Sequence, residues 1–175
     1  MLTVQQRIAE LARERPEECF TALNHYLTVD WLREAYYRVN PSSAEGIDGQ
    51  SWPDYGKHLE QNLRGLLDRA KSGEYVAPPV KRVHIPKGDG KETRGIGMPT
   101  IEDKVLQRAV AMLLEPIYEQ DFKDYSYGFR RERSAHQALA RIWSQCMNQN
   151  IQWILEVDIR KFFDTLKKQW LRKLM

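Results

Sequence analysis

The sequence predicts an α+β fold. Apolar residues recur at helical spacing over most of the chain, alternate with a period of two around residues 80–99, and run together at residues 151–159. Helices therefore dominate, interrupted by one hairpin and one buried strand.

Residues 3–14 form the first expected helix, with Val4, Ile8 and Leu11 on one face. Residues 30–39 repeat the pattern through Trp31, Leu32, Ala35 and Val39, with Asp30 as the expected N-cap. The segment NPSSAEGIDGQSW (40–52) has the Ser, Gly, Asn and Pro content of a loop. A longer helix is expected over 53–71, with Leu59, Leu63, Leu66, Leu67 and Ala70 inward and Gly73 just beyond its end. Pro78-Pro79 then breaks the chain, and VKRVHIPK (80–87) alternates as a strand, with Val80, Arg82 and His84 on one side and Val83 and Ile85 on the other. Asp89-Gly90 in GDGKE (88–92) signals a hairpin turn, so TRGIGMP (93–99) returns antiparallel. Thr100 is the expected cap of a helix over 101–118, and Asp103 completes a weaker form of the capping box.

Residues 119–133 are irregular, aromatic and basic, and Ser134 caps a further helix over 135–147. IQWILEVDI (151–159) reads as a buried strand, followed by a turn and a last helix. That strand has no partner in the sequence other than the hairpin, and a lone strand leaves its backbone donors and acceptors unpaired. The expectation is that the natural protein continues past Met175 and that later strands complete the sheet.

Composition sets the outer limits. The chain has 175 residues, 42% hydrophobic and 29% charged, which fits a protein with a buried core and excludes disordered and fibrous classes. No apolar run approaches the ~20 residues needed to span a bilayer. The N-terminus lacks the apolar core of a signal peptide, so the expected location is cytoplasmic, with no membrane partner. Cys19 and Cys146 form no CxxC and no zinc spacing, and read as two reduced thiols. A net charge of +3 and a pI of about 8.8 point only weakly to nucleic acid. Distribution says more: Lys81, Arg82, Lys87, Lys91 and Arg94 cluster in one stretch, and Arg130, Arg131 and Arg133 in another. Such clusters neutralise phosphates or simply solvate a loop, and charge alone favours the loop.

Four stretches carry a more specific signal: GIDG (46–49), RVHIPKGDGKETRGIGMPTIEDKVLQRAV (82–110), YSYGFRRERSAHQAL (125–139) and ILEVDIRKFFDTL (154–166). In this order and at these distances they resemble the N-terminal motif series of group II intron reverse transcriptases, the intron-encoded maturases. The resemblance covers roughly residues 40–166. It implies a reverse-transcriptase fingers subdomain, built of helices and an antiparallel hairpin, joined to the first strand and helix of the palm. Residues 1–39 then form an N-terminal helical extension, 40–150 the fingers with template-path segments, and 151–175 the start of the palm.

The same resemblance assigns roles. A carboxylate at the end of a strand either binds a divalent cation or caps the helix that follows. The family pattern VDI-x-KFFD makes Asp158 the first of three catalytic aspartates, a ligand of Mg2+, with the Ile159 carbonyl as a further ligand. Phe162 stands where the family places an aromatic that excludes a 2′-hydroxyl, while Phe163 fills the core and Asp164 is a local cap or ion pair. The hairpin resembles the fingers element that clamps the incoming dNTP. Lys87 of the IPK motif matches the triphosphate-binding lysine. Lys81 stands where relatives often carry Arg, keeping the charge without the bidentate fork, and Arg94 faces back across the turn. On physics alone the hairpin is a charged edge protected from aggregation.

YGFRRERSAHQAL resembles the segment lining the template–primer path. Gly128 would allow close backbone approach, Arg130 would contact a phosphate, and Arg133 sits near a helix N-terminus that also suits phosphate. Tyr127 and Phe129 stack on bases or pack in the core, and His136 is structural. GIDG resembles the family's extra N-terminal motif, whose loop lies over the template and brings Asp48 to nucleic acid. On physics alone Asp48-Gly49 is a turn.

The partners implied are an RNA template and DNA primer, group II intron RNA and dNTP. The family's aromatic-x-Asp-Asp tetrad is missing: the chain has no Asp-Asp dipeptide. Two-metal chemistry needs further carboxylates, so the isolated chain is expected to be inactive. Two alternatives stand beside the polymerase reading. One is a non-catalytic RNA-binding module or remnant. The other is self-association through the fingers helices or the unfinished sheet edge.

Overall fold

Thr3 opens the first helix, α1 (Val4–Glu14), with a full capping box: its hydroxyl accepts from the Gln6 N–H, and the Gln6 side chain accepts from the Thr3 N–H. The computed structural model describes residues 3–86, 88, 90, 93–160, 162–167, 169, 170 and 173, with the side chains of Phe163 and Asp164 outside that description. The chain divides into two compact units, Met1–Phe122 and Lys123–Met175.

In the first unit α2 spans Val29–Arg38, and its N-cap is Thr28 rather than Asp30. The Thr28 hydroxyl accepts from the Trp31 N–H at 3.2 Å. Asp30 falls in the first turn, where the helix dipole favours a carboxylate, and pairs with Arg33. Both residues suit a cap, and the helix begins one residue earlier than expected.

The single helix expected over 53–71 is two helices, α3 (Trp52–Gly56) and α4 (Leu59–Ser72). His58 leaves helical geometry at φ −124° and ψ 38°. The break lets Tyr55 bury its ring and brings Gly56 against Tyr36, where a Cβ would lie 2.4 Å from the phenol oxygen. Asn62 donates to the Tyr55 carbonyl at 2.8 Å, satisfying an acceptor that the break releases. Gly73 ends α4 in the left-handed conformation, as expected.

The hairpin consists of β1 (Lys81–Pro86) and β2 (Thr93–Met98), antiparallel, with Lys81 opposite Met98 and Pro86 opposite Thr93. Of its turn only Gly88 and Gly90 are described, and Gly90 has a φ of +73°. Thr100 then caps α5 (Ile101–Tyr118) by accepting from the Asp103 N–H at 3.2 Å. α5 buries Ile101, Val105, Ala109, Met112 and Leu113 against α1, α2 and α3.

Two long-range hydrogen bonds fix this core. The Trp31 indole donates to the Ala109 carbonyl at 3.0 Å. Pro116, inside α5, has no N–H to offer the Met112 carbonyl, and Gln5 from α1 donates there instead at 3.0 Å.

The second unit contains α6 (Ala135–Asn148) and the short α7 (Phe162–Thr165). Ser134 caps α6 with a full capping box through Gln137. The buried strand expected over 151–159 is not formed. That segment carries no strand, and its apolar residues are exposed, Trp153 and Leu155 at 87% each. The reason is pairing: among the described residues the only sheet is the hairpin, whose two strands bond to each other. α6 likewise buries no residue fully, and Leu139, Trp143 and Met147 lie open. Among the described residues no helix is long and apolar enough to cross a membrane. Cys19 and Cys146 are unpaired thiols.

Burial separates the two units energetically. Leu63→Ala empties a fully buried site and costs about 2–5 kcal/mol. Trp143→Ala, on the open face of α6, changes stability by less than about 0.5 kcal/mol. Urea unfolding checks both: the first variant moves the midpoint well down and the second leaves it in place.

Candidate functional site

The hairpin register sorts its side chains into two faces. Residues directly opposite share a face, so Lys81, Val83 and Ile85 lie with Met98, Ile96 and Arg94. Lys81 and Arg94 therefore project from the same face, at opposite ends of the strand pair. Arg82 and His84 occupy the other face, opposite Gly97 and Gly95. Glycine leaves room there: a Cβ on Gly95 would lie 3.6 Å from Arg82 Nε and 3.7 Å from His84 Nε2. Gly97 is packed more tightly, its missing Cβ falling 3.0 Å from a Val80 methyl. Lys87 lies outside the described residues.

The GIDG loop reaches the foot of this hairpin. Gly46 is buried against the segment joining β2 to α5, where a Cβ would meet Thr100 Cα at 2.6 Å and Thr100 N at 2.7 Å. Only glycine allows that approach. Asp48 bends the loop by accepting from the Gln50 N–H at 3.2 Å, and Gly49 follows at a φ of +64°. The exposed Asp48 carboxylate thus has a local role in the turn. Lys104, from the first turn of α5, donates to the Ser43 hydroxyl at 3.3 Å and to the Ala44 carbonyl. Burial lowers the Lys104 ammonium below its ordinary pKa, and the negative charge of Asp48 partly offsets this. Between loop and hairpin foot runs a shallow groove of about 480 Å³, lined by Ser42, Ser43, Glu45, Ser51, Lys81 and Met98 among others.

Beside the groove the start of α5 is tied down by polar contacts. Asp103 is buried, and its carboxylate accepts from the Tyr75 hydroxyl at 3.1 Å and the Gln107 amide at 2.8 Å. Burial, then the Asp103 charge, push the Tyr75 phenol well above its ordinary pKa, so it remains a donor across the physiological range. Glu102 pairs with Arg69 of α4 at 2.8 Å.

In the second unit Arg130 and Arg133 belong to one aromatic loop. The Arg130 guanidinium donates to the carbonyls of Lys123 and Ser126 at 2.9 and 2.8 Å, closing the loop on itself. Arg133 lies 4.0 Å from Asp124 and over the Tyr127 ring, 5.7 Å from its centroid. Phe129 and Glu132 adopt left-handed backbone at φ 57° and 59°, which non-glycine residues rarely do. Gly128 has open space around it, and Phe129 is fully exposed rather than packed in a core. Tyr125, Tyr127, Arg141 and Ile142 line a separate cavity of about 350 Å³.

Asp158 and Ile159 are exposed on the 151–159 segment, and Phe162 is exposed on α7, where its carbonyl accepts from the Thr165 hydroxyl at 3.1 Å. The side chains of Phe163 and Asp164 lie outside the described residues, so the assignments of core and cap made for them do too. Among the described residues no group of three or more His, Cys, Asp and Glu side chains could hold a metal. One carboxylate and one carbonyl do not complete a divalent-cation site.

The structure thus joins Lys81 and Arg94 on one hairpin face and Arg130 and Arg133 in one loop. Sequence reading missed Gly46 as a contact point and Lys104 altogether. Both stood inside recognised stretches, 46–49 and 82–110, but no periodicity marks a polar side chain that bonds to a loop 60 residues away in sequence.

Residues 85–175 match the family model described as Reverse transcriptase (RNA-dependent DNA polymerase). The chain belongs to the reverse transcriptase family. Protein YkfC of Escherichia coli (strain K12) is 36% identical over 178 residues, 97% of this chain and 46% of that protein. The group II intron-encoded protein LtrA of Lactococcus lactis subsp. cremoris is 34% identical over 169 residues, 94% of this chain and 27% of that protein. The family type is therefore that of group II introns, and the chain spans less than half the length of these relatives. Reverse transcriptases work with divalent metal ions.

Arg130→Ala removes both braces of the 123–130 loop. Hydrogen bonds from a charged donor hold such a loop closed, so chymotrypsin cleavage at Tyr125, Tyr127 and Phe129 rises about tenfold while α6 stays intact. Timed proteolysis with mass spectrometry checks the sites.

Proposed function

We propose that this chain is the template- and nucleotide-handling N-terminal part of an RNA-directed DNA polymerase of the group II intron type. The observation that carries the reading is the hairpin face shared by Lys81 and Arg94, within a chain of this family. With Lys87, these cations neutralise the triphosphate of an incoming dNTP. Phe162 selects the deoxy sugar by excluding a 2′-hydroxyl.

RNA template and DNA primer run along the basic loop, where Arg130 and Arg133 meet phosphates and Gly128 lets the backbone come close. Arg130 has a second duty, bracing its loop through the Lys123 and Ser126 carbonyls. The GIDG loop, with Asp48, covers the template above the groove at the hairpin foot. Asp158 and the Ile159 carbonyl are the first ligands of a magnesium site that further carboxylates must complete. Group II intron RNA is the partner in its maturase role, and the setting is cytoplasmic.

The isolated chain binds RNA without extending a primer. Its affinity for an unstructured oligoribonucleotide falls with salt, with a log–log slope on the order of −3 if each basic stretch meets a few phosphates. Filter binding across a salt series measures the slope. A flat response, or template-dependent extension by the chain alone, would overturn the proposal.

Phe162→Ala is tested in the chain joined to the remaining palm of its polymerase. Opening space beside the sugar raises ribonucleotide incorporation relative to deoxynucleotide by about tenfold or more, since one steric contact is worth roughly 1–3 kcal/mol in discrimination. Single-nucleotide kinetics read the ratio of kcat/KM values. Unchanged selectivity would remove Phe162 from the role of steric gate.

A further inference from the structure

Lys104 is a poor choice for a residue that only fills space. It sits on α5 between the buried Asp103 and Val105, and burial disfavours its charged form. Its two acceptors, the Ser43 hydroxyl and the Ala44 carbonyl, both belong to the loop that carries GIDG. The negative charge of Asp48, on the same loop, partly offsets that cost. These three interactions, which compensate the ammonium for lost water, point away from its own helix and into that loop.

Gly46 marks the same junction from the other side. Its backbone lies so close to Thr100 and Pro99 that a methyl group would overlap them, with Cβ at 2.6 Å from Thr100 Cα and 3.0 Å from the Pro99 carbonyl carbon. β2 ends at Met98, next to that contact. Lys81, paired with Met98 in the sheet, lines the groove together with Ser42 and Ser43. The position of the loop therefore sets the width of the groove at the hairpin foot.

We propose that Lys104 is a positioning residue that pins the 43–49 loop to the first turn of α5, so that loop and hairpin foot hold a fixed groove for the template strand. The pinning itself rests on the contacts of Lys104 and Gly46. Its consequence for the template rests on the reading of the loop given above.

Three variants of this chain test it: Lys104→Met, which keeps the bulk and removes the donors; Lys104→Arg, which restores a cationic donor; and Gly46→Ala, which forces the backbones apart. Hydrogen exchange is followed at Gly49 and Gln50, whose N–H groups bond within the loop, and at the interior of α5 as control. Affinity for an oligouridylate RNA is measured in parallel. Lys104→Met is expected to speed exchange in the loop about tenfold, leave α5 unchanged and weaken RNA binding several-fold, with Lys104→Arg recovering most of both. Gly46→Ala gives the same loop signature. Because both substitutions open one junction, the double variant exchanges little faster than the faster single.

Unchanged loop exchange in Lys104→Met, or α5 and loop opening together as in global destabilisation, overturns the pinning role. Faster loop exchange with RNA affinity unmoved leaves the pin standing and instead removes the template reading of the GIDG loop, so the two failures are told apart.

Discussion

The first turn of α5 is where the separate parts of the larger unit meet. Its N–H groups need acceptors, and Thr100 supplies one. Asp103 places a carboxylate in the same turn, buried, where the helix dipole favours it and Tyr75 and Gln107 complete its hydrogen bonds. Arg69 reaches Glu102 from α4, and the Gly46 backbone rests on Thr100 itself. Each of these contacts brings in a different stretch of chain. Because β2 runs directly into this turn, the root of the hairpin inherits the same restraint. The far end of α5 is held differently: Pro116 frees the Met112 carbonyl, and Gln5 occupies it. A helix held at both ends is a firm base for a hairpin that has little burial of its own.

That contrast between base and hairpin matters for function. The strands are largely exposed on both faces, so packing does not dictate which side chains they carry. Lys81 and Arg94 on one face, and Arg82 and His84 over the glycines of the other, are therefore affordable only as solvated or ligand-facing groups. The same cations discourage edge pairing with other chains. The charge serves both purposes, and the glycines opposite Arg82 and His84 leave those side chains room to lie across the strand.

What the sequence made legible follows from local rules. The helices at 4–14, 101–118 and 135–148 and the caps Thr100, Ser134 and Gly73 were readable because periodicity and capping depend on residues a few positions apart. The hairpin was readable from its alternation. The break between α3 and α4 was not, since what favours it is a distant ring, Tyr36, meeting Gly56. Thr28 and Asp30 are both good caps, and what distinguishes them in the structure is tertiary: Thr28 caps the N–H of Trp31, whose indole is tied to the distant Ala109 carbonyl. Among candidate site residues, those in recognised motifs were nameable in advance. Lys104 lay within the 82–110 stretch yet was not singled out, because its contacts are with a loop far away in sequence.

The 151–159 segment shows the limit of a local rule most clearly. Ile151, Trp153, Leu155, Val157 and Ile159 have the composition of a strand, yet they stand exposed. Strand propensity is chiefly a preference for packing against neighbours on a pleated surface, and without neighbours it has nothing to act on. The consequence reaches Asp158. A carboxylate serves metal-dependent chemistry when its position is held to about half an ångström, which calls for a paired strand beneath it and further ligands around it. Among the described residues Asp158 has neither, so the metal role proposed for it depends on what pairs with its backbone. The hairpin root and GIDG loop are braced by α5, whereas the 151–159 segment pairs with no strand among the described residues. Of the roles proposed above, nucleic-acid binding rests on parts that fold locally, and metal binding on a segment whose order depends on backbone pairing.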